Sequence, residues 1–184
     1  RSCSSAASDV YKRQMIMSKN EFSNIIDKAV FPGMQGGPFM NMLAAKAIAY
    51  SEALGSEFKN YSKQIVKNAK KLSNTISSSG FRIVSGGTDN HQFTIDLSRN
   101  NLTGAEIASL LRNSGIIANK NGIPYDNLPP KITSGIRLGT PALTSRGMKE
   151  DQMVTLGNLI VDIINNRNDI NTLNKLSNDV KALA

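Results

Sequence analysis

Apolar residues recur every three or four positions in six segments of the chain, and this spacing predicts amphipathic helices. The segments cover residues 20–30, 39–54 and 56–79, and begin again near Thr103, Thr144 and Asp169. Thr103 and Glu106 form the capping-box pattern that opens a helix. Glycines follow three of the segments, as expected where helices end.

Between Gly80 and Thr144 the apolar period shortens to two, which predicts strands. Four segments show it: Phe81–Val84, His91–Leu97, Ile116–Ala118 and Gly135–Gly139. A further apolar run at 15–17 suggests the end of a strand. The order of elements after Gly80 is β-β-α-β-β-α-α. This order predicts an α+β layer with helices on a small sheet.

Composition excludes several classes of protein. The chain has 184 residues, a net charge of +8 and a pI near 9.7. Its lysines are spread along predicted helices without interleaved aromatic residues, which favours solvated helix faces over a nucleic-acid interface. With one cysteine, Cys3, and one histidine, His91, neither a zinc site nor a disulfide framework is expected. No apolar run is long enough to cross a membrane.

Residues 1–14 differ in character from the rest of the chain. They show no apolar periodicity and no signal-peptide pattern. They resemble the translated adapter tails found on fragmentary environmental reading frames. We therefore expect a non-native, disordered leader and exclude it from the fold prediction.

A glycine- and proline-rich loop, Phe31–Pro38, precedes the second predicted helix. Glycines in such a loop take a positive φ or let another group approach the backbone closely. Free N–H groups in front of a helix can hold an anion such as a phosphate. A simple structural turn is the alternative.

Three polar side chains are candidates for chemistry. Arg137 lies on a predicted strand between Gly135 and Gly139, opposite in direction to its neighbours, and can bind a carboxylate through two parallel bonds. A surface ion pair is the alternative. Asn121 can bind a heterocycle through its amide, or simply belong to a turn. His91 can act as a general base or be structural.

Five stretches together resemble the serine hydroxymethyltransferase family, in its order and spacing, from about Met15 to near the C-terminus. They are Phe31–Pro38, Val84–His91, Asn101–Gly104, Asn119–Pro124 and Thr133–Ala142.

The resemblance implies an α/β pyridoxal-phosphate-dependent transferase of the aspartate-aminotransferase-like fold type I. Residues 15–38 would end the large domain, 39–79 would form connector helices, and 80–184 would form the C-terminal α+β small domain. The family interconverts serine and glycine and transfers a one-carbon unit to tetrahydrofolate. It implies a cytoplasmic homodimer or tetramer, with no nucleic-acid or membrane partner.

The resemblance also implies roles for individual residues. Arg137 matches the arginine that holds the carboxylate of the amino acid. Gly36 and Gly37 match the loop whose backbone reaches the cofactor phosphate across the dimer interface. Asn121 matches an asparagine that contacts the folate pterin. Pro129, Pro130 and Lys131 stand where the family often has a folate-contacting Ser-Pro-Phe, of which only the central proline is shared.

One functional group of the family has no counterpart in this sequence. Its Schiff-base lysine follows a Thr-His pair, and no lysine here has that context. The resemblance places it upstream of Met15, so we expect the chain as given to be inactive. We also expect exposed apolar surface on the helix from Phe39, with self-association as its consequence. Another fold-type-I pyridoxal-phosphate enzyme, a basic nucleic-acid-binding module and a mere interaction domain remain alternatives.

Overall fold

A computed structural model describes residues 15–184, so the predictions made for residues 1–14 lie outside the described part. The chain divides into two compact units, one ending at Lys59 and one running from Asn60 to Ala184. The two units are described separately below.

The first unit is helical. A 3₁₀ turn, Asn20–Phe22, leads into helix α1, Ser23–Lys28. A wide turn, Ala29–Met34, follows, in which the backbone of Phe31 is extended. Helix α2 covers Met40–Leu54, and helix α3, Ser56–Ser78, begins here and continues into the second unit. The two helices predicted for this part are confirmed, but the strand predicted at 15–17 is wrong, because those residues have no regular structure.

Helix α2 buries none of its residues within the described part of the chain. Large apolar side chains are instead exposed along it and in the segments before it. They include Phe22, Ile25, Phe31, Met34, Phe39, Met40, Leu43, Ile48 and Leu54. The expected exposed apolar surface is therefore confirmed. Self-association through it stays a prediction.

The second unit has the predicted α+β order with one additional short helix. Its elements are β1 (Arg82–Ile83), β2 (Gln92–Asp96), α4 (Gly104–Asn113), β3 (Asn119–Asn121), β4 (Gly135–Gly139), α5 (Pro141–Ser145), α6 (Glu150–Asn165) and α7 (Ile170–Leu183).

The four strands form one antiparallel sheet in the order β1-β2-β4-β3. Apolar and polar residues alternate along β1, β2 and β4, so the two faces of the sheet differ. One face is buried and carries Ile83, Phe93, Ile95, Ile136 and Leu138. These side chains form a single core with the apolar stripes of α3, α4, α6 and α7. The opposite face carries the polar positions, including Arg137.

Two boundaries differ from the sequence prediction. The third strand is Asn119–Asn121 and not Ile116–Ala118; Ile116 and Ala118 are buried by packing against the core but do not pair with β4. The helix predicted from Thr144 is split into α5 and α6, because Gly147 has a left-handed φ of 88° that no helix accommodates.

A buried polar network joins α3 to the chain that follows β4. Asn68 is fully buried, and its Nδ2 donates to Thr144 Oγ1 and to the Met148 carbonyl, both at 2.9 Å. Its Oδ1 accepts from Gln64 Nε2 at 2.9 Å. Thr140 Oγ1 adds a bond of 2.8 Å to the Ile65 carbonyl. Through this network α3 fixes the end of the strand that carries Arg137.

The loop between β3 and β4, residues 122–134, is closed by a single carboxylate. Asp126 Oδ1 accepts from Ser134 Oγ at 2.6 Å and from the Leu128 amide at 3.0 Å. Its Oδ2 accepts from the amides of Ser134 at 2.8 Å and Ile123 at 3.2 Å. The hydrogen bond from the Ser134 hydroxyl, followed by those from the backbone amides, lowers the pKa of Asp126 to about 2.

This pKa predicts how acid destabilises the second unit. A carboxyl with an ordinary pKa of 3.8 that is held near 2 in the folded state stabilises that state above pH 4. The stabilisation decreases as the pH falls from about 4 to 2. After a discount for solvent screening of this half-buried group, we expect Asp126→Asn to lower the free energy of unfolding by about 1–2 kcal/mol at pH 7.

Urea unfolding at pH 7 and at pH 2.5 measures this difference. We expect the gap between the wild-type protein and Asp126→Asn to narrow at the lower pH. A gap of equal size at both pH values would show that the ionised carboxylate is not the source of the stability.

Candidate functional site

Arg137 occupies the centre of the polar face of the sheet. It is exposed, while its neighbours Ile136 and Leu138 are buried on the opposite face, as the alternation predicted. In register it pairs with Thr94 of β2 on one side and with Asn119 of β3 on the other. Among residues 15–184, no carboxylate lies within ion-pair distance of its guanidinium. Its five N–H donors are therefore available for an anion.

A groove beside Arg137 is lined by strand and helix residues of the second unit. Helix α4 contributes Ala105, Ala108, Ser109 and Arg112, the sheet contributes Asn119, Lys120 and Arg137, and Ala118 lies just before β3. The small alanine side chains keep the groove open. Its three charged lining residues are all cationic, so the electrostatics of the groove favour an anionic ligand such as a carboxylate.

Asn121 lies on the same polar face as Arg137, since Asn119 pairs with Arg137 and Asn121 with Gly135. The alternative that Asn121 belongs to a turn is thus corrected: Asn119–Asn121 is a strand, and the turn comes later, at Pro124 and Tyr125. The side chain of Asn121 is half-buried, and its Nδ2 donates to the Gly122 carbonyl at 2.7 Å. The register therefore brings Asn121 and Arg137 onto one surface.

Pro129, Pro130 and Lys131 lie in the loop that Asp126 closes. The Pro129 carbonyl accepts from the amides of Ile132 at 2.9 Å and Thr133 at 3.0 Å, which folds the stretch into a turn. The Lys131 carbonyl accepts from Lys120 Nζ at 2.5 Å. All three residues are exposed. The stretch is therefore held by hydrogen bonds to its carbonyl groups and leaves its side chains accessible.

Gly36 and Gly37 lie in the first unit, between the Ala29–Met34 turn and α2. Neither has a positive φ, and an added Cβ at either position would meet no described atom within 4 Å. No hydrogen bond within residues 15–184 uses either amide. These two N–H groups and the start of α2 line one concavity, together with Lys46. Free amides near a helix N-terminus fit the phosphate of a cofactor.

Pro38 lies before helix α2 and not in its first turn. It precedes the N-cap, Phe39, whose backbone is extended, and α2 begins at Met40. Two residues therefore separate the glycine pair from the helix.

Two other polar groups complete the description of the sheet. Asp96 of β2 is buried, forms an ion pair with Arg82 and accepts a hydrogen bond from the Ser98 hydroxyl. Burial raises the pKa of Asp96, but the hydrogen bonds from Ser98 and the Arg82 guanidinium outweigh this effect and hold it below its usual range. His91 is exposed before β2, and its carbonyl accepts from the Thr140 amide at 3.1 Å.

None of the helices in the described part combines the length and the apolar character needed to cross a membrane.

The chain is similar to known proteins over most of its length. Residues 6–160 match the family model described as serine hydroxymethyltransferase. This match begins inside the stretch predicted to be a foreign leader, so that prediction stays untested. Serine hydroxymethyltransferase from Leptospira biflexa serovar Patoc (strain Patoc 1 / Ames) is 49% identical over 169 residues, which are 92% of this chain and 41% of that protein.

A second relative gives the same result. Serine hydroxymethyltransferase from Methanospirillum hungatei JF-1 is 50% identical over 169 residues, again 92% of this chain and 41% of that protein. The chain thus spans about two fifths of the length of the curated relatives it matches. Its helices and small antiparallel sheet agree with the C-terminal α+β region of a fold-type-I pyridoxal-phosphate enzyme. The chain belongs to the serine hydroxymethyltransferase family.

Proposed function

We propose that this chain is part of a pyridoxal-phosphate-dependent enzyme that interconverts serine and glycine and transfers a one-carbon unit to tetrahydrofolate. The observation that carries this proposal is Arg137, an exposed arginine on a rigid strand with no carboxylate partner in the part of the chain described. Family membership supports the same activity. The enzyme would act as a cytoplasmic homodimer or tetramer.

In this mechanism Arg137 binds the carboxylate of serine or glycine through two parallel N–H donors. The sheet holds the arginine from both sides, through Thr94 and Asn119, so the amino acid is fixed in one orientation. Orientation of this kind decides which bond of the substrate breaks. Pyridoxal phosphate, when bound, supplies the electron sink for that bond.

The remaining residues bind the cofactor and the co-substrate. The amides of Gly36 and Gly37 would hold the cofactor phosphate, since they have no protein acceptor in residues 15–184. Asn121 would contact the pterin of tetrahydrofolate, and Pro129, Pro130 and Lys131 would line the folate side. The cationic groove beside Arg137 supports an anionic ligand on this face.

The role of Arg137 is tested by Arg137→Lys in the protein at its full natural length. Lysine keeps the charge but loses the planar pair of donors. We expect kcat/KM for serine to fall about 100-fold, because a small misplacement of the substrate costs that much in rate. The assay measures tetrahydrofolate-dependent serine cleavage. Transamination without any folate-dependent cleavage would favour another pyridoxal-phosphate enzyme.

Arg112→Lys is the matched control, because Arg112 lines the same groove from α4. It should leave kcat/KM for serine within about twofold of the wild-type value, since a solvated surface cation contributes little. An equal loss in both variants would show that either guanidinium group of the groove can be responsible, and would remove the evidence for a specific bond from Arg137.

The phosphate site is tested by Gly36→Ala. Because the φ is not positive and no described atom lies within 4 Å of the added Cβ, the melting temperature should change little. The affinity for pyridoxal phosphate should fall about tenfold, since the methyl group would meet the ligand. Cofactor titration by absorbance measures this change.

Gly135→Ala is the contrasting variant. A Cβ at Gly135 would lie 2.8 Å from the Asn121 carbonyl oxygen and 3.0 Å from that of Ile95, so this variant should lose stability. If Gly36→Ala behaved in the same way as Gly135→Ala, the glycine would be needed for the fold and not for the phosphate.

We propose in addition that residues 15–184 alone do not turn serine over, because none of their lysines follows a Thr-His pair as the cofactor-binding lysine of the family does. Purified residues 15–184 mixed with pyridoxal phosphate should show only the absorbance of free cofactor. A band that survives gel filtration, with serine cleavage, would contradict this prediction.

A further inference from the structure

The loop of residues 122–134 lies between the two strands that carry Asn121 and Arg137. It joins neighbouring antiparallel strands, for which a connection of two to five residues is enough. A connection of this length without regular structure is commonly either mobile or functional. Several independent bonds hold this one in a single conformation.

The first of these is the Asp126 carboxylate, which gathers four donors from both halves of the loop. The Ile123 amide donates from near the start of the loop and the Leu128 amide from its middle. Ser134, at the end of the loop, donates through both its amide and its hydroxyl. An ionised carboxylate has about four acceptor sites, so the group is saturated. The bond pattern closes the two ends of the loop onto each other.

The backbone on each side of this closure is packed too closely to shift freely. An added Cβ at Gly135 would lie 2.8 Å from the Asn121 carbonyl oxygen and 2.8 Å from Ile123 Cγ2. The Ile123 amide, two residues after Asn121, is one of the four donors to Asp126. The position of Asn121 is therefore coupled to the closure as well as to its pairing with Gly135.

The position of Arg137 depends much less on the closure of the loop by Asp126. Strand β4 pairs with β2 at five successive positions, from Gly135 to Gly139, and Arg137 is the central one. The Thr140 hydroxyl anchors the end of the strand to α3. Loss of the Asp126 bonds would thus disturb the Asn121 side of the polar face and leave the arginine in place.

Further bonds hold the distal part of the loop. The amides of Gly104 and Ala105, at the start of α4, donate to the carbonyls of Thr133 at 2.9 Å and Ile132 at 3.0 Å. Tyr125 and Thr133 have left-handed φ values of 58° and 59°. Such conformations are costly for residues other than glycine and persist where the surroundings enforce them. Tyr125 directly precedes Asp126, so the carboxylate holds this strained residue.

We propose that Asp126 is a positioning residue for the co-substrate: it fixes loop 122–134 so that Asn121 and the Pro129–Lys131 stretch face tetrahydrofolate before it binds. This inference rests on the proposed function. Asp126 touches neither substrate nor cofactor in this proposal. It acts through the backbone that carries the contacting residues.

Asp126→Asn is the sharpest test, because it keeps the size of the side chain. The amide NH₂ group would face N–H donors, so only one oxygen remains to accept bonds. In the protein at its full natural length, we expect the KM for tetrahydrofolate to rise about tenfold, as is common when a supporting group is lost. The kcat and the KM for serine should stay within about twofold, because Arg137 is held by β2.

Ser134→Ala is the second, milder variant. It removes the 2.6 Å hydroxyl bond and leaves the other three donors to Asp126. We expect a smaller rise in the KM for tetrahydrofolate, about two- to threefold, with the KM for serine unchanged. This variant decides the question if Asp126→Asn fails to fold.

Asp169→Asn is the matched control. Asp169 caps α7 with the same kind of bonds, from the amides of Asn171 and Thr172 and from the Thr172 hydroxyl. The Asp169→Asn substitution should lower stability through the same loss of hydrogen bonds to a carboxylate, but at a helix outside the proposed site. The KM for tetrahydrofolate should therefore not change.

Three outcomes are distinct. A selective rise in the KM for tetrahydrofolate in Asp126→Asn and Ser134→Ala, absent in Asp169→Asn, supports the inference. An unchanged KM for tetrahydrofolate in both loop variants, with wild-type activity intact, overturns it and leaves the proposed function standing. Absence of tetrahydrofolate-dependent serine cleavage in the wild-type protein overturns the proposed function and this inference with it.

Discussion

The buried amide of Asn68 is the interaction on which the geometry of the second unit depends. A fully buried amide must satisfy both its donors and its acceptor, or the fold loses about 1–3 kcal/mol for each group left unpaired. Gln64, Thr144 and the Met148 carbonyl satisfy it here. These partners lie on α3, on α5 and in the segment before α6. The amide therefore fixes how α3 packs against the residues that follow β4. Apolar packing alone would allow α3 to slide, whereas this set of bonds has only one satisfied arrangement.

That arrangement is transmitted to the polar face of the sheet through β4. Thr140 is the first residue after the strand. Its hydroxyl donates to the Ile65 carbonyl, and its amide donates to the His91 carbonyl. The strand therefore cannot shift in register without breaking buried bonds. A shift by one residue would also place Arg137 in the core and Ile136 in solvent. The exposed arginine is held in place by the buried apolar residues on both sides of it and by the polar network that joins α3 to the end of β4.

The sequence was sufficient to predict the elements whose signals are local. Strand β4 was predicted at its exact bounds, because its alternation is unbroken between two glycines. Asp169 was predicted to start the last helix, and it is the N-cap of α7. Strand β3 was missed, because Asn-Lys-Asn has no strand propensity, and its pairing is imposed by β4. The roles of Asn68 and Asp126 could not be recognised from the sequence, because their partners are not neighbours in the chain. Asn68 bonds to Thr144, which is 76 positions further along, and Asp126 to Ser134, which is 8 positions further along.

Each of the two units would hold a polar ligand in its own way, and each way matches the ligand proposed for it. A carboxylate needs a donor pair of fixed direction, and a strand bonded on both sides supplies it at Arg137. A phosphate accepts bonds from many directions, and under the proposed function the exposed backbone of Gly36 and Gly37 would hold it. The glycines show the difference most clearly. Nothing in residues 15–184 crowds them or requires a left-handed φ, so the described fold alone gives no reason for glycine at either position. A group that approaches the backbone from outside this fold would supply that reason.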